Sequence, residues 1–231
     1  MKCIGLLGGM SWESTALYYQ LLNEGVRDRL GGLHSARCVI HSVDFAEIEQ
    51  LQHEDRWDEA GTLLASCANG LQAAGADVLL ICTNTMHIVA DEIQAAIDIP
   101  LLHLADATAT AIKHAGLDRV GLLGTAFTME KAFYKDRLAS HDISVIVPDS
   151  DDRQLVHNVI YNELCLGVVN ESSRAEYLRI IEKLVTSEAQ GIVAGCTEIE
   201  LLVNEADCPV PLFPTTRLHV DAAIEFALGD I

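Results

Sequence analysis

The chain is poor in positive charge. Fifteen lysines and arginines stand against 34 acids, for a formal net charge of −19. A phosphate backbone would be repelled by that field, which sets nucleic acid aside as a partner. An anionic small substrate would have to be gathered by backbone N–H groups, hydroxyls and the few arginines. Long hydrophobic runs are missing as well. Half of the 231 residues are apolar, yet no stretch approaches the ~20 uninterrupted apolar residues of a membrane span. Met1-Lys2-Cys3-Ile4-Gly5 has one positive charge and an apolar run broken by glycine, so it reads poorly as a signal peptide. The seven cysteines form an odd set without a pairing pattern, which points to reduced thiols and a cytoplasmic location.

Several familiar site signatures are also lacking. Gly5-Leu6-Leu7-Gly8-Gly9-Met10-Ser11 follows an apolar run, but its spacing is not G-x-G-x-x-G and no P-loop lysine follows. Its glycines fit close backbone approach, with Ser11 capping a helix whose free N–H groups could face an anion. The nine histidines show no paired zinc spacing, so no metal is expected, and there is no G-x-S-x-G nucleophile elbow. No Pro/Gly/Ser-rich linker divides the chain.

What is present is a duplication. Ile4-Gly5-Leu6-Leu7-Gly8 recurs as Val120-Gly121-Leu122-Leu123-Gly124. Ile81-Cys82-Thr83-Asn84-Thr85 is answered by Ala194-Gly195-Cys196-Thr197-Glu198. Short apolar runs alternate with amphipathic stretches, the pattern of parallel sheets covered by helices. Strands are predicted at 3–7, 38–43, 78–82, 101–103, 120–123, 144–147, 192–194 and 212–213. Helices are predicted at 13–30, 54–74, 86–97, 106–115, 130–139, 154–164, 174–189 and 215–228. The expected fold is α/β, with two pseudo-symmetric lobes, each a mainly parallel sheet flanked by helices, and the active site in the cleft between them. Residues 1–107 with 209–231 would form the first lobe and 108–208 the second. The closing strand and helix, having no counterpart in the repeat, are expected to return to the first lobe. Ligands are expected at the carboxyl ends of the strands, where the polar turns fall.

Cys196 is the foremost chemical candidate. It stands where a buried strand opens into a helix, and a thiolate there would gain from free N–H groups and the helix dipole. A small buried hydrophobe is the competing reading for any cysteine.

The two polar turns, together with Gly8-Gly9-Met10-Ser11-Trp12-Glu13-Ser14-Thr15 and Thr215-Thr216-Arg217-Leu218-His219, resemble the cofactor-independent aspartate/glutamate racemases over essentially the whole chain. Within that family the similarity is greatest to bacterial racemases acting on L-aspartate and L-glutamate. The resemblance implies an isomerase that needs no cofactor, takes a small acidic amino acid and forms a homodimer. It implies Cys196 as a thiolate base and Thr83 in the place of the family's first cysteine. Cys82 stands one residue earlier, and strand alternation should send Cys82 and Thr83 to opposite sides. The same resemblance implies carboxylate donors at Ser11, Asn84, Thr85 and Thr197, with Glu198 beside them and Met10 and Gln52 on the wall facing the substrate's other end. Inversion without a cofactor needs one proton group on each face of Cα. Two other functions fit a single motif cysteine: a related decarboxylase, and a binding protein that kept the cleft.

Overall fold

In the computed structural model, which describes residues 1–229, the chain forms two compact units. One comprises Met1–Leu104 and the segment from His219 onward; the other is Ala105–Leu218. Each is built on a parallel sheet covered by helices.

The first sheet has the order β2-β1-β3, from β1 (Ile4–Gly8), β2 (Cys38–Ser42) and β3 (Val78–Ile81). Alternation along β1 and β3 divides the core. Ile4, Leu6, Val78, Leu80 and Cys82 face one side. Leu7, Leu79 and Ile81 face the other. Helix α1 (Trp12–Leu30) covers the first side because Ser14, Tyr18, Leu22 and Val26 recur at four-residue spacing and are all buried. Ser11 caps it, accepting a hydrogen bond from Ser14 N–H (3.2 Å). Glu13 lies in its first turn and Arg27 and Arg29 in its last, each matching the helix dipole. On the other side lie α2 (Phe45–His53), α3 (Trp57–Ala73) and α4 (Ala90–Ala95). Helix α2 has no counterpart among the predicted elements. The predicted strand at 101–103 reduces to one parallel bridge, Leu79 to Leu101.

The second sheet has the order β5-β4-β6-β7, from β4 (Arg119–Gly124), β5 (Ser144–Ile146), β6 (Gly191–Gly195) and β7 (Leu212–Pro214). Its helices are α5 (Leu104–His114), α6 (Ala126–Glu130), α7 (Ala132–Ala139), α8 (Ser150–Asn162) and α9 (Glu171–Thr186), and α10 (Thr215–Leu228) follows β7. The closing strand therefore does not return to the first lobe. β7 extends the second sheet beside β6, with Val193 opposite Phe213. Only the chain from His219 onward belongs with the first unit. Gly75 and Gly116, which follow α3 and α5, take φ of 96° and 72°, the left-handed region that lets the chain turn back into a strand. No described helix is long and apolar enough to cross a membrane.

A buried histidine joins α10 to the first core. His219 is fully buried and donates from Nε2 to the Leu102 carbonyl (2.8 Å), so its Nδ1 accepts from the Tyr18 hydroxyl (2.9 Å). Burial, reinforced by neighbouring His87, pushes its pKa down to about 3, against a smaller opposing effect of the Leu102 hydrogen bond. The unfolded chain would take up this proton near pH 6.5 and the folded chain only near pH 3. Stability should therefore fall as pH drops through that window, by about 1.4 kcal/mol per unit. Urea midpoints followed from neutral pH down to about pH 4 should show this fall, and His219→Gln should flatten it. A wild-type midpoint unchanged over that range would contradict the assignment.

Candidate active site

Two polar turns stand at the carboxyl ends of the central strands, one in each unit. In the first, β1 runs into Gly9, whose φ of 91° and tight approach to Val43 exclude a side chain: a Cβ there would lie 2.3 Å from the Val43 carbonyl oxygen. Gly9 N–H donates to Thr15 Oγ1 (2.8 Å), and the Thr15 hydroxyl donates to the Ser11 carbonyl (2.9 Å). Ser14 Oγ–H donates to the Cys82 carbonyl (3.0 Å), and Cys82 N–H to the Leu7 carbonyl (2.9 Å). These bonds fix the Gly8–Ser11 turn against the end of β3.

Cys82 continues the β3 alternation into the core beside Tyr18, Leu22 and Val220, fully buried, and burial raises its thiol pKa far above the ordinary value. Thr83 is half-buried, while Asn84 and Thr85 are buried. His87 holds the Thr83 backbone. Its Nε2 accepts the Leu104 N–H (3.2 Å), which leaves the proton on Nδ1 to donate to the Thr83 carbonyl (2.8 Å). Met10 packs in the core cluster with Leu7, Ile81 and Met86. Gln52, on α2, reaches the same place and donates from Nε2 to Met86 Sδ (3.0 Å). Its Oε1 is buried and has no hydrogen-bond partner among the described residues, so a ligand N–H would find an acceptor there.

In the second unit Cys196 follows β6 in extended conformation and opens a 3₁₀ turn, Thr197–Leu201. Its thiol donates to Glu198 Oε2 at 2.9 Å. Burial pushes the Cys196 pKa well up, and the Glu198 charge adds to the rise. This corrects the expectation from sequence. The element is a single 3₁₀ turn rather than an α-helix, and the charge aimed at the sulfur is a carboxylate, so the resting group is a thiol. Thr197 Oγ1 lies 3.1 Å from Thr216 Oγ1, and Thr215 Oγ–H donates to the Ala194 carbonyl (2.9 Å). The segment around Thr215 thus braces the Cys196 turn.

Thr83, Asn84, Thr85, Ser11, Met10 and Gln52 are thereby grouped in the first unit, and Cys196, Thr197 and Glu198 in the second. The sequence reading passed over two supports. His87 was counted among scattered histidines, although its place four residues after Thr83 puts it one turn on. Thr216 was part of a quoted motif without a role. Among the described residues no group of three or more His, Cys, Asp or Glu could hold a metal ion.

The two units are parallel α/β sheets, one ending in a threonine-rich turn and the other in a cysteine–glutamate pair. The family model for Asp/Glu/Hydantoin racemase matches residues 7–223, and the chain belongs to that family, which makes it an isomerase of the amino-acid racemase class. A Yersinia pestis protein, described provisionally as an Asp/Glu racemase, is 55% identical over 99% of this chain and 100% of its own, with a TM-score of 0.94. An aspartate racemase homologue from Pyrococcus horikoshii is 30% identical over 99% of this chain and 100% of its own, with a TM-score of 0.87. The broad specificity amino-acid racemase RacX of Bacillus subtilis is 24% identical over 98% of both chains.

Proposed function

We propose that the protein interconverts L- and D-aspartate or glutamate by proton transfer at the two faces of Cα, with Cys196 and Thr83 as the opposed groups. The observation that carries this reading is the hydrogen bond from Cys196 Sγ to Glu198 Oε2 (2.9 Å). A thiol whose pKa is raised is a poor base alone, but a carboxylate at hydrogen-bond distance can take its proton as the thiolate removes the proton from Cα. The C–H electron pair stays on Cα and spreads into the α-carboxylate, where Ser11, Asn84, Thr85 and Thr197 supply donors. Thr83 relays a solvent proton to the opposite face, while Glu198 returns its proton to solvent. A neutral hydroxyl is a weaker base than a thiolate, and from the D-side the same steps run in reverse, with the proton leaving Cα through Thr83 to solvent while Cys196 delivers one to the L-face. Gln52 Oε1, the orphan acceptor, receives an N–H of the substrate. The protein acts as a homodimer in the cytoplasm.

Glu198→Gln tests the pair. Removing the negative charge takes away one cause of the raised Cys196 pKa, so Cys196 should be alkylated faster at a given pH. Racemisation should nevertheless fall by about 10²–10³-fold, because the proton acceptor has gone. Iodoacetamide labelling followed by peptide mass spectrometry reads the first effect, and chiral chromatography of L-aspartate reactions the second. If both rates rose together, Glu198 would be only a brake on the thiolate. Incubating wild-type protein with L-aspartate and L-glutamate in D₂O tests the function itself: D-isomer carrying deuterium at Cα is expected. Binding without exchange would favour a ligand-binding protein, and loss of CO₂ from a malonate-type acid without exchange would favour the decarboxylase.

A further inference from the structure

Thr83 lies just beyond the ladder that fixes β3. That strand pairs with β1 as far as Ile81, opposite Leu7, and Cys82 N–H still reaches the Leu7 carbonyl (2.9 Å). The next two carbonyls are taken by side chains instead. Ser14 Oγ–H donates to the Cys82 carbonyl (3.0 Å), and His87 Nδ1–H to the Thr83 carbonyl (2.8 Å). These two carbonyls belong to the peptide groups on either side of the Thr83 Cα. Each peptide is planar, so holding both fixes φ and ψ of Thr83 and with them the direction of its Cα–Cβ bond. The hydroxyl keeps only the staggered choices of χ1. A group that must meet one face of a substrate carbon depends on such aim, since a misplacement of about 1 Å can cost 10²-fold in rate.

His87 closes this arrangement in two ways. Its backbone N–H donates to the Asn84 carbonyl (3.1 Å), which by itself completes the turn after Thr83. The imidazole then adds a bond to the one carbonyl that belongs to Thr83. Its other nitrogen, Nε2, accepts Leu104 N–H (3.2 Å), and Leu104 opens α5, whose first N–H groups have no partner within the helix. Only a neutral imidazole can accept there and donate from Nδ1 at once, and the positive end of the helix dipole opposes a charged ring. The ring is buried, with the rings of His103 and His219 packed against it at centroid distances of 4.6 and 5.8 Å. His219 is held in turn by the Tyr18 hydroxyl and the Leu102 carbonyl. Closing a turn needs none of this; aiming a side chain does.

We propose that His87 is a positioning residue for the Thr83 half of the reaction: with Ser14 it holds the two peptide groups that aim the Thr83 side chain, and it governs proton transfer at the face opposite the L-proton without touching the substrate. The role rests on the two-sided reading of Cys196 and Thr83, and it acts wholly through Thr83.

Two variants of the full chain separate the two bonds of the ring, because an asparagine amide sits where Nδ1 does and a glutamine amide where Nε2 does. His87→Gln keeps an acceptor for Leu104 N–H and loses the donor to Thr83. His87→Asn keeps the donor and loses the acceptor. Each is compared with wild type in D₂O for deuterium gained by recovered L-aspartate and for D-aspartate formed. In His87→Gln, inversion should fall by about 10–10²-fold while L-aspartate still gains deuterium through the Cys196–Glu198 pair. Started from D-aspartate, the same variant should lose deuterium uptake together with inversion, because Thr83 is the group met first. His87→Asn should keep the wild-type ratio of inversion to exchange, whatever it loses in thermal stability. A merely structural role would change the amount of folded protein and lower both rates in proportion. An unchanged ratio in His87→Gln therefore overturns the proposal, and so does a ratio in His87→Asn that falls as far as in His87→Gln. If His87→Gln failed to fold, Ser14→Ala, which releases the Cys82 peptide group, must lose inversion and retain exchange; a proportional loss there overturns the proposal. NMR of the ring nitrogens in wild type needs no substrate: His87 should carry its proton on Nδ1, and a proton on Nε2, or on both nitrogens, counts against the role. A wild type that made no D-isomer would end the two-sided reading and this role with it. If instead Thr83→Ala separated exchange from inversion and His87→Gln did not, that reading would stand and His87 would drop out of it.

Discussion

Cys196→Ala should remove racemisation of L-aspartate and L-glutamate while leaving the fold intact. The substitution deletes one sulfur from a half-buried side chain that, among the described residues, hydrogen-bonds to Glu198. A structural cost of about 1 kcal/mol is the ordinary result for such a change. The chemical cost is of another order. Positioned acid–base groups contribute about 10²–10⁴-fold to proton transfer, or roughly 3–5 kcal/mol of barrier. Cys196→Ser should fall as far, because a hydroxyl bonded to the same carboxylate is a much weaker acid than a thiol and seldom reaches its anion. Chiral chromatography gives the rate and thermal unfolding the stability. If Cys196→Ala kept a turnover within tenfold of wild type, the thiol would not be the group that removes the proton. The Cys196–Glu198 bond would then be a structural contact at the end of β6.

The same turn shows what a sequence does and does not disclose about this site. The duplicated runs around Leu6 and Leu122 and around Leu80 and Val193 announced β1, β4, β3 and β6, because a strand buried on both faces must be apolar throughout. Cys82 and Thr83 were separable in principle by alternation, and the packing of Cys82 beside Tyr18 and Val220 follows that alternation past the last residue of β3. Three features were not legible. Helix α2 was missed because its buried stripe contains one apolar residue, Ile48, and then Gln52 in the next place. A position that keeps an amide oxygen unsatisfied in the core breaks the apolar period that would have revealed the helix. The pairing of β7 was misjudged because three residues carry no directional pattern, and their partner is chosen by β6 rather than by their own composition. The electrostatics of Cys196 were read with the wrong sign. Sequence places Glu198 two residues on, but only the tight 3₁₀ geometry turns its carboxylate back onto the sulfur.

Thr83→Ala should separate exchange from inversion. Suppose the Cys196–Glu198 pair removes the proton from the L-face and Thr83 relays one to the other face. In D₂O the thiol and carboxyl protons exchange with solvent, so the pair can return deuterium to the face it has just deprotonated. L-Aspartate recovered from Thr83→Ala should therefore gain deuterium at Cα, while formation of D-aspartate falls by about 10²–10⁴-fold. Cys196→Ala should show neither effect from the L-side, because the group that faces the L-proton has gone and Thr83 serves the other face. Cys82→Ala supplies the contrast within the same motif. Its thiol is fully buried among apolar side chains, so its loss should cost about 1 kcal/mol of stability and leave inversion nearly unchanged. Mass spectrometry of recovered L-substrate and chiral chromatography of product read the two steps independently. Were Thr83→Ala to abolish deuterium uptake as completely as inversion, Thr83 would be needed to form the carbanion, as a donor to the α-carboxylate. If Cys82→Ala were the variant that lost inversion, the group facing the substrate would be the cysteine, and β3 would have to change its register on binding. Retained exchange with lost inversion in Thr83→Ala is the pattern that two opposed groups require, since a single group serving both faces would lose the two together.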